Sequence, residues 1–410
     1  MATDYRGNAK NTKRSMKIRS MRKPIPYGRQ FITDEDIQAV VGVLHSNNLT
    51  QGPKIGEFER AFAEYVSSKY AVAVSNGTAA LHLSGMALKV KPGDKVITTP
   101  ITFVASANCV RYCGGDVVFA DIDPETFLLD IGKVKELLAS SPPNTFKGII
   151  PVDFAGYPVN LEAYRQLADE YGLWIIEDAC HSPGGYFFDS KGKEQRCGNG
   201  RFAELSVFSF HPVKHIAAGE GGMITTNDEE LYRKLLNLRT HGIQQDYGKL
   251  IENHGPWYYE MQELGFNYRL TDMQAALAMS QLKRAQQNLE KRHRIAKKYY
   301  EAFRNSPILT PIITRDVFHA YHLYVIRTEK RDELIKYLRQ NNIMAQVHYI
   351  PVHYQPYYKN QGWKKGDLPV ADEFYRKCLS IPLYPSITDD EQNYVIQKVI
   401  DFFDLKNAAT

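Results

Sequence analysis

Between Tyr70 and Thr226 the sequence repeats one pattern: a short apolar run, a turn, and a segment with helical spacing. Tyr70-Ala71-Val72-Ala73-Val74 runs into the small-residue turn Ser75-Asn76-Gly77-Thr78, and Ala79-Ala80-Leu81-His82-Leu83 reads as a helix start. Strands are expected at Val96–Thr99, Asp116–Ala120, Gly148–Val152, Leu173–Ile176 and Gly222–Thr226. Helices are expected from Ser106, over Leu161–Tyr171 and over Asp228–Arg239. Apolar strands alternating with helices predict an α/β fold with a mostly parallel sheet covered on both faces. Ligands in such sheets bind beyond the carboxyl ends of the strands. Asp178, Ser75-Asn76-Gly77 and Phe103 all fall at that rim.

The chain's 410 residues exceed what one small core organises, so a large domain over 24–290 and a smaller C-terminal α/β domain over 291–410 are expected. Thr33-Asp34-Glu35-Asp36 before Ile37, Val40, Val41 and Leu44 predicts a capped amphipathic helix. The polar loop Ser46–Pro53 after it either lines a ligand site or merely connects to a helix bearing Phe58, Phe62 and Tyr65. Residues 243–265 read as irregular, and a long domain-bridging helix is expected from a cap at Thr271 to about Phe303. Strand Tyr321–Arg327, helix Arg331–Gln340, strand Ala345–Tyr349 and a last helix from Asp389 complete the expectation.

The net charge of +5 suggests a polyanion partner until its distribution is read. Residues 1–23 carry eight Lys/Arg against Asp4, which leaves −2 for the rest of the chain. A nearly neutral body offers no basic face to nucleic acid. The basic segment has no apolar core of the kind a secretory signal carries. It is Arg-rich and acid-poor, as transit peptides are, but a disordered extension, or a start at Met16 or Met21, is the simpler account. No apolar run reaches the ~18 residues of a membrane span. Five cysteines without metal spacing fit a reduced, cytoplasmic setting, and no metal site is expected.

One lysine stands apart. Ser206–Phe210 reads as a buried strand, and Lys214 follows it in a turn bounded by Pro212 and Gly219. Desolvation beside a strand lowers a lysine pKa and frees the amine to attack a carbonyl; a surface-loop lysine would show the same local sequence. Asp178 closes a strand upstream, and Gly77-Thr78 opens a helix whose free amides suit a phosphate, although simple capping by Ser75 or Thr78 would look alike. Amine, carboxylate and phosphate turn together are what a pyridoxal 5'-phosphate site requires.

In its ordered motifs the chain resembles the sugar aminotransferases of the DegT/DnrJ/EryC1/StrS family, from about Pro26 to the last helix. The motifs are Leu49-Thr50-Gln51-Gly52-Pro53, Asn76-Gly77-Thr78-Ala79-Ala80, Pro100-Ile101-Thr102-Phe103, Glu177-Asp178-Ala179-Cys180-His181, Ser209-Phe210-His211-Pro212-Val213-Lys214, Gly219-Glu220-Gly221-Gly222 and Gly265-Phe266-Asn267-Tyr268-Arg269. The resemblance implies the fold-type I architecture of pyridoxal phosphate enzymes. It implies Lys214 as the Schiff-base lysine, Asp178 as partner of the ring nitrogen, Phe103 stacked on the ring and His181 on its other side. Gly77, Thr78 and Ser209 become phosphate ligands. Asn267 reaches the phosphate of a neighbouring subunit, so the active unit is a homodimer with a shared site. For Phe103, His181 and Asn267, a core aromatic, a structural histidine and a turn residue are the plainer alternatives.

Gln346-Val347-His348-Tyr349-Ile350-Pro351 resembles the branch that makes pseudaminic acid. That branch implies L-glutamate as donor and a UDP-linked 4-keto-6-deoxy-N-acetylhexosamine aminated at C4. Tyr27, Asn47, Asn48, Leu49, Thr50, His348, Tyr349, Ile350 and Pro351 would line the sugar-nucleotide pocket. The basic N-terminal segment and residues 243–265 depart from the pattern. A dTDP- or GDP-linked keto-sugar would leave the cofactor residues unchanged. A dehydratase of this fold replaces the lysine by histidine, against Lys214. A non-catalytic, ligand-binding regulatory protein would carry a DNA-binding module, and no helix-turn-helix pattern precedes residue 30. Glu220 and His215 read as residues that frame Lys214.

Overall fold

The computed structural model describes residues 23–407, so the expectation for the N-terminal basic segment falls, up to residue 22, outside the described residues. Seven strands form the central sheet: β1 (Tyr70–Val74), β2 (Lys95–Thr98), β3 (Asp116–Phe119), β4 (Phe146–Ile150), β5 (Trp174–Asp178), β6 (Leu205–Ser209) and β7 (Gly222–Thr226). Their order is β1-β7-β6-β5-β4-β2-β3. Only β7 runs against its neighbours, pairing Gly222 with Val74 on one side and with Ser209 on the other. The remaining pairs are parallel, so the expected mostly parallel α/β sheet is what the chain forms.

Helices cover both faces. Near the sheet lie α1 (Asp34–Leu44), α2 (Pro53–Val66), α3 (Gly77–Ala87), α4 (Ala105–Tyr112), α5 (Ile131–Ser140), α6 (Leu161–Tyr171), α7 (Glu229–Arg239) and α8 (Asp272–Leu282). Helix α2 starts with Pro53 at its first position and turns Ile55, Phe58, Phe62 and Val66 inward, onto Phe208 and Phe210 of the lysine segment. Helix α3 is buried nearly all round, and small residues let it lie flat on the sheet.

The C-terminal part adds α9 (Ala285–Phe303), α10 (Arg331–Gln340), α11 (Pro369–Lys377), α12 (Asp389–Asn407) and the antiparallel pair Tyr324–Arg327 with Cys378–Ile381. Ile295, Tyr299, Phe303, Leu334, Val395 and Val399 form its own buried cluster, joined by Ile25 from the N-terminal segment. Val352, Tyr358 and Phe374 pack instead into the core around the large sheet.

Three expectations are corrected. The long helix from Thr271 is two helices, broken at Lys283-Arg284, where Arg284 takes φ −106° and ψ 3° and its guanidinium turns to the buried Asp36 carboxylate. The strand expected at Ala345–Tyr349 does not form: the short strand Ile343–Met344 ends before it, and within it only Gln346 bridges Ser380. The strand expected from Tyr321 starts at Tyr324, since Tyr321 has φ 50° and its carbonyl accepts from Arg292 at 3.0 Å.

Candidate active site

A cavity of about 750 Å³ opens at the carboxyl rim of the sheet. It gathers Gly77, Thr78, Phe103, Asp178, His181, Ser209 and Lys214 with Tyr27, His348 and Tyr349, residues drawn from both ends of the chain.

The first wall is the start of α3. Asn76, and neither Ser75 nor Thr78, is the cap: its side chain accepts the Ala79 N–H at 2.8 Å and its carbonyl accepts the Ala80 N–H at 3.1 Å. The amides of Gly77 and Thr78 have no acceptor inside the helix and sit at the positive end of its dipole. A Cβ on Gly77 would stand 3.0 Å from Ser209 Cβ and 3.5 Å from Cys180 Sγ, so only glycine lets the turn close over Ser209. Amides, hydroxyl and dipole together suit a phosphate ester.

The floor carries Asp178, the last residue of β5. Its Oδ2 accepts the Ser106 hydroxyl at 2.6 Å and its Oδ1 accepts the Cys180 N–H at 3.2 Å. Lys214 lies past β6 in a loop pinned by Lys214 N–H to His211 O at 2.8 Å and Ala218 N–H to Phe210 O at 2.9 Å. Burial holds the Lys214 amine below the usual lysine range, and Cys180 and Asp178 offset that only in part. A desolvated amine facing a carboxylate is what carbonyl attack asks for. Phe103 is 57 % exposed, which sets it apart from a core phenylalanine and leaves its ring free at the mouth.

His181 is buried, and its Nδ1 accepts the Ala155 N–H at 3.2 Å. The proton of the neutral ring is therefore on Nε2, which donates to the Tyr349 hydroxyl at 3.2 Å and leaves the tyrosine's own hydrogen for the cavity. Burial, then Lys214, push His181 well below its ordinary range, and the same two causes push His348 down to about 3. The imidazoles here are neutral, so they add no charge beside the amine.

Several further residues were given no site role from the sequence, although Thr102, Cys180, His211 and Tyr268 stand within its motifs. Thr102, Ser106, Cys180, His211, Tyr268 and His322 also line the cavity. The His322 ring lies 4.3 Å from that of His181, centroid to centroid and tilted by 34°, and nothing in Tyr321-His322-Leu323 marks it. Glu220 lines the cavity, whereas His215 is buried beside it with Nε2 donating to Ala320 O at 2.8 Å. The remaining expected residues lie elsewhere. Asn47 and Asn48 border a second groove between α1, α2 and α8; Leu49, Thr50 and Asn267 are exposed; Ile350 is exposed and Pro351 buried, outside the cavity lining.

The residues present fit pyridoxal phosphate. Gly77 and Ser209 form a cradle that a Cβ would crowd, Asp178 offers a carboxylate to a ring nitrogen, and Lys214 an amine to an aldehyde. The profile described as the DegT/DnrJ/EryC1/StrS aminotransferase family matches residues 30–400. Spore coat polysaccharide biosynthesis protein SpsC of Bacillus subtilis is 40% identical over 386 residues, covering 92% of this chain and 96% of that protein. PseC of Helicobacter pylori, an aminotransferase involved in the biosynthesis of pseudoaminic acid, superposes with TM-score 0.83 at 30% identity, covering 93% of this chain and 100% of that one. A candidate sugar aminotransferase of Streptococcus pneumoniae in its PMP-form gives TM-score 0.83 and 30% identity over 91% of this chain and 98% of its own.

Proposed function

The chain belongs to the DegT/DnrJ/EryC1/StrS aminotransferase family, whose cofactor is pyridoxal phosphate, and from that premise we propose that it moves an amino group from L-glutamate to C4 of a nucleotide-linked 4-keto-6-deoxy sugar. The sugar we propose is the UDP-linked N-acetylhexosamine of pseudaminic acid synthesis, with two chains sharing each active site. The observation that carries the reading is the meeting of Lys214, Asp178 and the Gly77–Ser209 cradle around one cavity. The sugar rests on two supports: His348 and Tyr349 at its mouth, and the likeness to the Helicobacter pylori enzyme.

When bound, pyridoxal phosphate supplies an electron sink for the carbanion formed at the donor's Cα. The protein's side chains do the rest. The Gly77 and Thr78 amides with Ser209 would hold the cofactor's phosphate, and Phe103 would lie against its ring. Asp178 keeps the proton on the ring nitrogen. Lys214 Nζ would take the proton from the donor Cα and later deliver one to the sugar carbon. Its pKa, lowered by burial, enlarges the neutral, basic fraction of the amine. The Tyr349 hydrogen, left free by His181, points a donor at the sugar. Glutamate leaves as its keto acid before the sugar binds, a ping-pong order.

The test is a panel of UDP-, dTDP- and GDP-linked 4-keto-6-deoxy sugars offered with glutamate to the holoenzyme. Amination of the UDP-linked substrate is expected. Turnover of only a dTDP- or GDP-linked sugar overturns the pseudaminate assignment, and no amination of any overturns the sugar reading. Lys214→Ala should lose the visible band of lysine-bound cofactor and about 10²- to 10⁴-fold of turnover. Parental turnover in that variant removes Lys214 from the chemistry.

A further inference from the structure

We propose that Ser106, backed by Thr102, is a positioning residue for the cofactor ring: a two-hydroxyl chain aims the Asp178 carboxylate before the cofactor arrives. Ser106 is 1 % and Thr102 3 % exposed, so neither hydroxyl trades its partner for bulk water. Ser106 Oγ stands 2.6 Å from Asp178 Oδ2, 2.8 Å from Thr102 Oγ1 and 3.3 Å from Phe103 O.

An ionised carboxylate only accepts, and the shortest, charge-assisted contact takes the serine's single hydrogen. Thr102 must then donate to Ser106, and the chain runs Thr102 to Ser106 to Asp178. Each bond polarises the next in a buried setting. The Cys180 N–H holds the other oxygen, Oδ1, at 3.2 Å. With both oxygens held, the carboxylate cannot turn about its last bond. Thr102 directly precedes Phe103, so one loop fixes the group that meets the ring nitrogen and the aromatic that covers the ring.

The inference rests on the reading that Asp178 meets the ring nitrogen, and the experiment separates the two. Apo forms of the parent, Ser106→Ala, Ser106→Thr, Thr102→Val and Asp178→Asn are titrated with pyridoxal phosphate. Protein fluorescence gives the dissociation constant, and the visible band is followed against pH. Ser106→Ala should weaken cofactor binding about tenfold and shift the pH profile of the band, as expected for one hydrogen bond to a charged group. Ser106→Thr should restore both, and Thr102→Val should move both the same way by less. Ser106→Ala with parental affinity and pH profile overturns the proposal, even if its melting temperature falls. Should Ser106→Ala not fold, a parental profile in Thr102→Val overturns it instead. Asp178→Asn with unchanged binding overturns the underlying reading; weakened binding in Asp178→Asn alone overturns only the role of Ser106.

Discussion

Glu177 and Asp178 are neighbours on β5, and the strand's period of two sends them to opposite faces. Asp178 faces the cavity. Glu177 faces a buried pocket with Asp153, where Ser206 donates to its Oε2 at 2.5 Å and the Gly198 N–H at 2.9 Å, while Val159 N–H and the Ser182 hydroxyl serve Asp153. Burial raises both carboxyls, Asp153 to about 6 and Glu177 well above its ordinary range, and the pair holds a shared proton. The folded state thus keeps a proton that an unfolded aspartate releases near ~4. Folded chains bind more protons than unfolded ones from about pH 4 upward, so stability falls as pH rises through about 6 for Asp153, and Glu177, raised well above its ordinary range, carries the fall higher. Asp153→Asn should flatten the fall by ~2 kcal/mol, read from urea midpoints at pH 4 and pH 7. Identical pH slopes in parent and variant would refute the shared proton. Asp178 and Lys214 were legible as chemistry because a strand end beside a turn is a local pattern. Ser106 was not, since its partner lies 72 residues away and only the closed sheet brings them together.

At the scale of elements, periodicity placed the strands of the central sheet and most helices well, and it failed at two strands of the C-terminal part and at one helix break. Gly222–Thr226 and Arg331–Gln340 stand where their patterns put them. The break after α8 was invisible because neither proline nor glycine makes it; a tertiary ion pair does. The strand expected at Ala345–Tyr349 alternates correctly in sequence, yet His348 donates to or accepts from Ser380 Oγ at 2.9 Å and the chain turns toward the cavity. Another long-range tie sits at the start of α8. Asp272 is fully buried and its carboxylate accepts the Gly52 N–H at 2.8 Å and the Lys54 N–H at 2.9 Å, which joins the first turns of α2 and α8. Asp272→Ala would strand both amides and should cost ~2–3 kcal/mol in denaturant unfolding. The Gly52 and Lys54 amides should also lose protection against hydrogen exchange. A loss below ~0.5 kcal/mol with unchanged exchange would mean water replaces the carboxylate freely.

For the whole molecule, the surface carries residues that a solitary chain has no use for. Ile251, Leu264 and Trp257 are 86 %, 72 % and 75 % exposed around the hairpin of Ile243–Gln244 with Glu260–Met261. Asn267 is exposed outside the cavity while its neighbour Tyr268 lines it. Asn47, Asn48, Leu49 and Thr50 are likewise exposed. Exposed large apolar side chains gathered in one place commonly mark an interface. A second copy is the covering partner we propose. In a two-fold dimer each site would take Lys214 from one chain and Asn267 from the other. Mixed with Asn267→Ala, itself expected to be weak, inactive Lys214→Ala chains give heterodimers in which one site of two has both residues intact. Random exchange then returns about a quarter of parental turnover, with heterodimers counted by native mass spectrometry. Full exchange without recovered turnover would mean that each chain completes its own site, and parental activity in Asn267→Ala alone would remove Asn267 from the phosphate altogether.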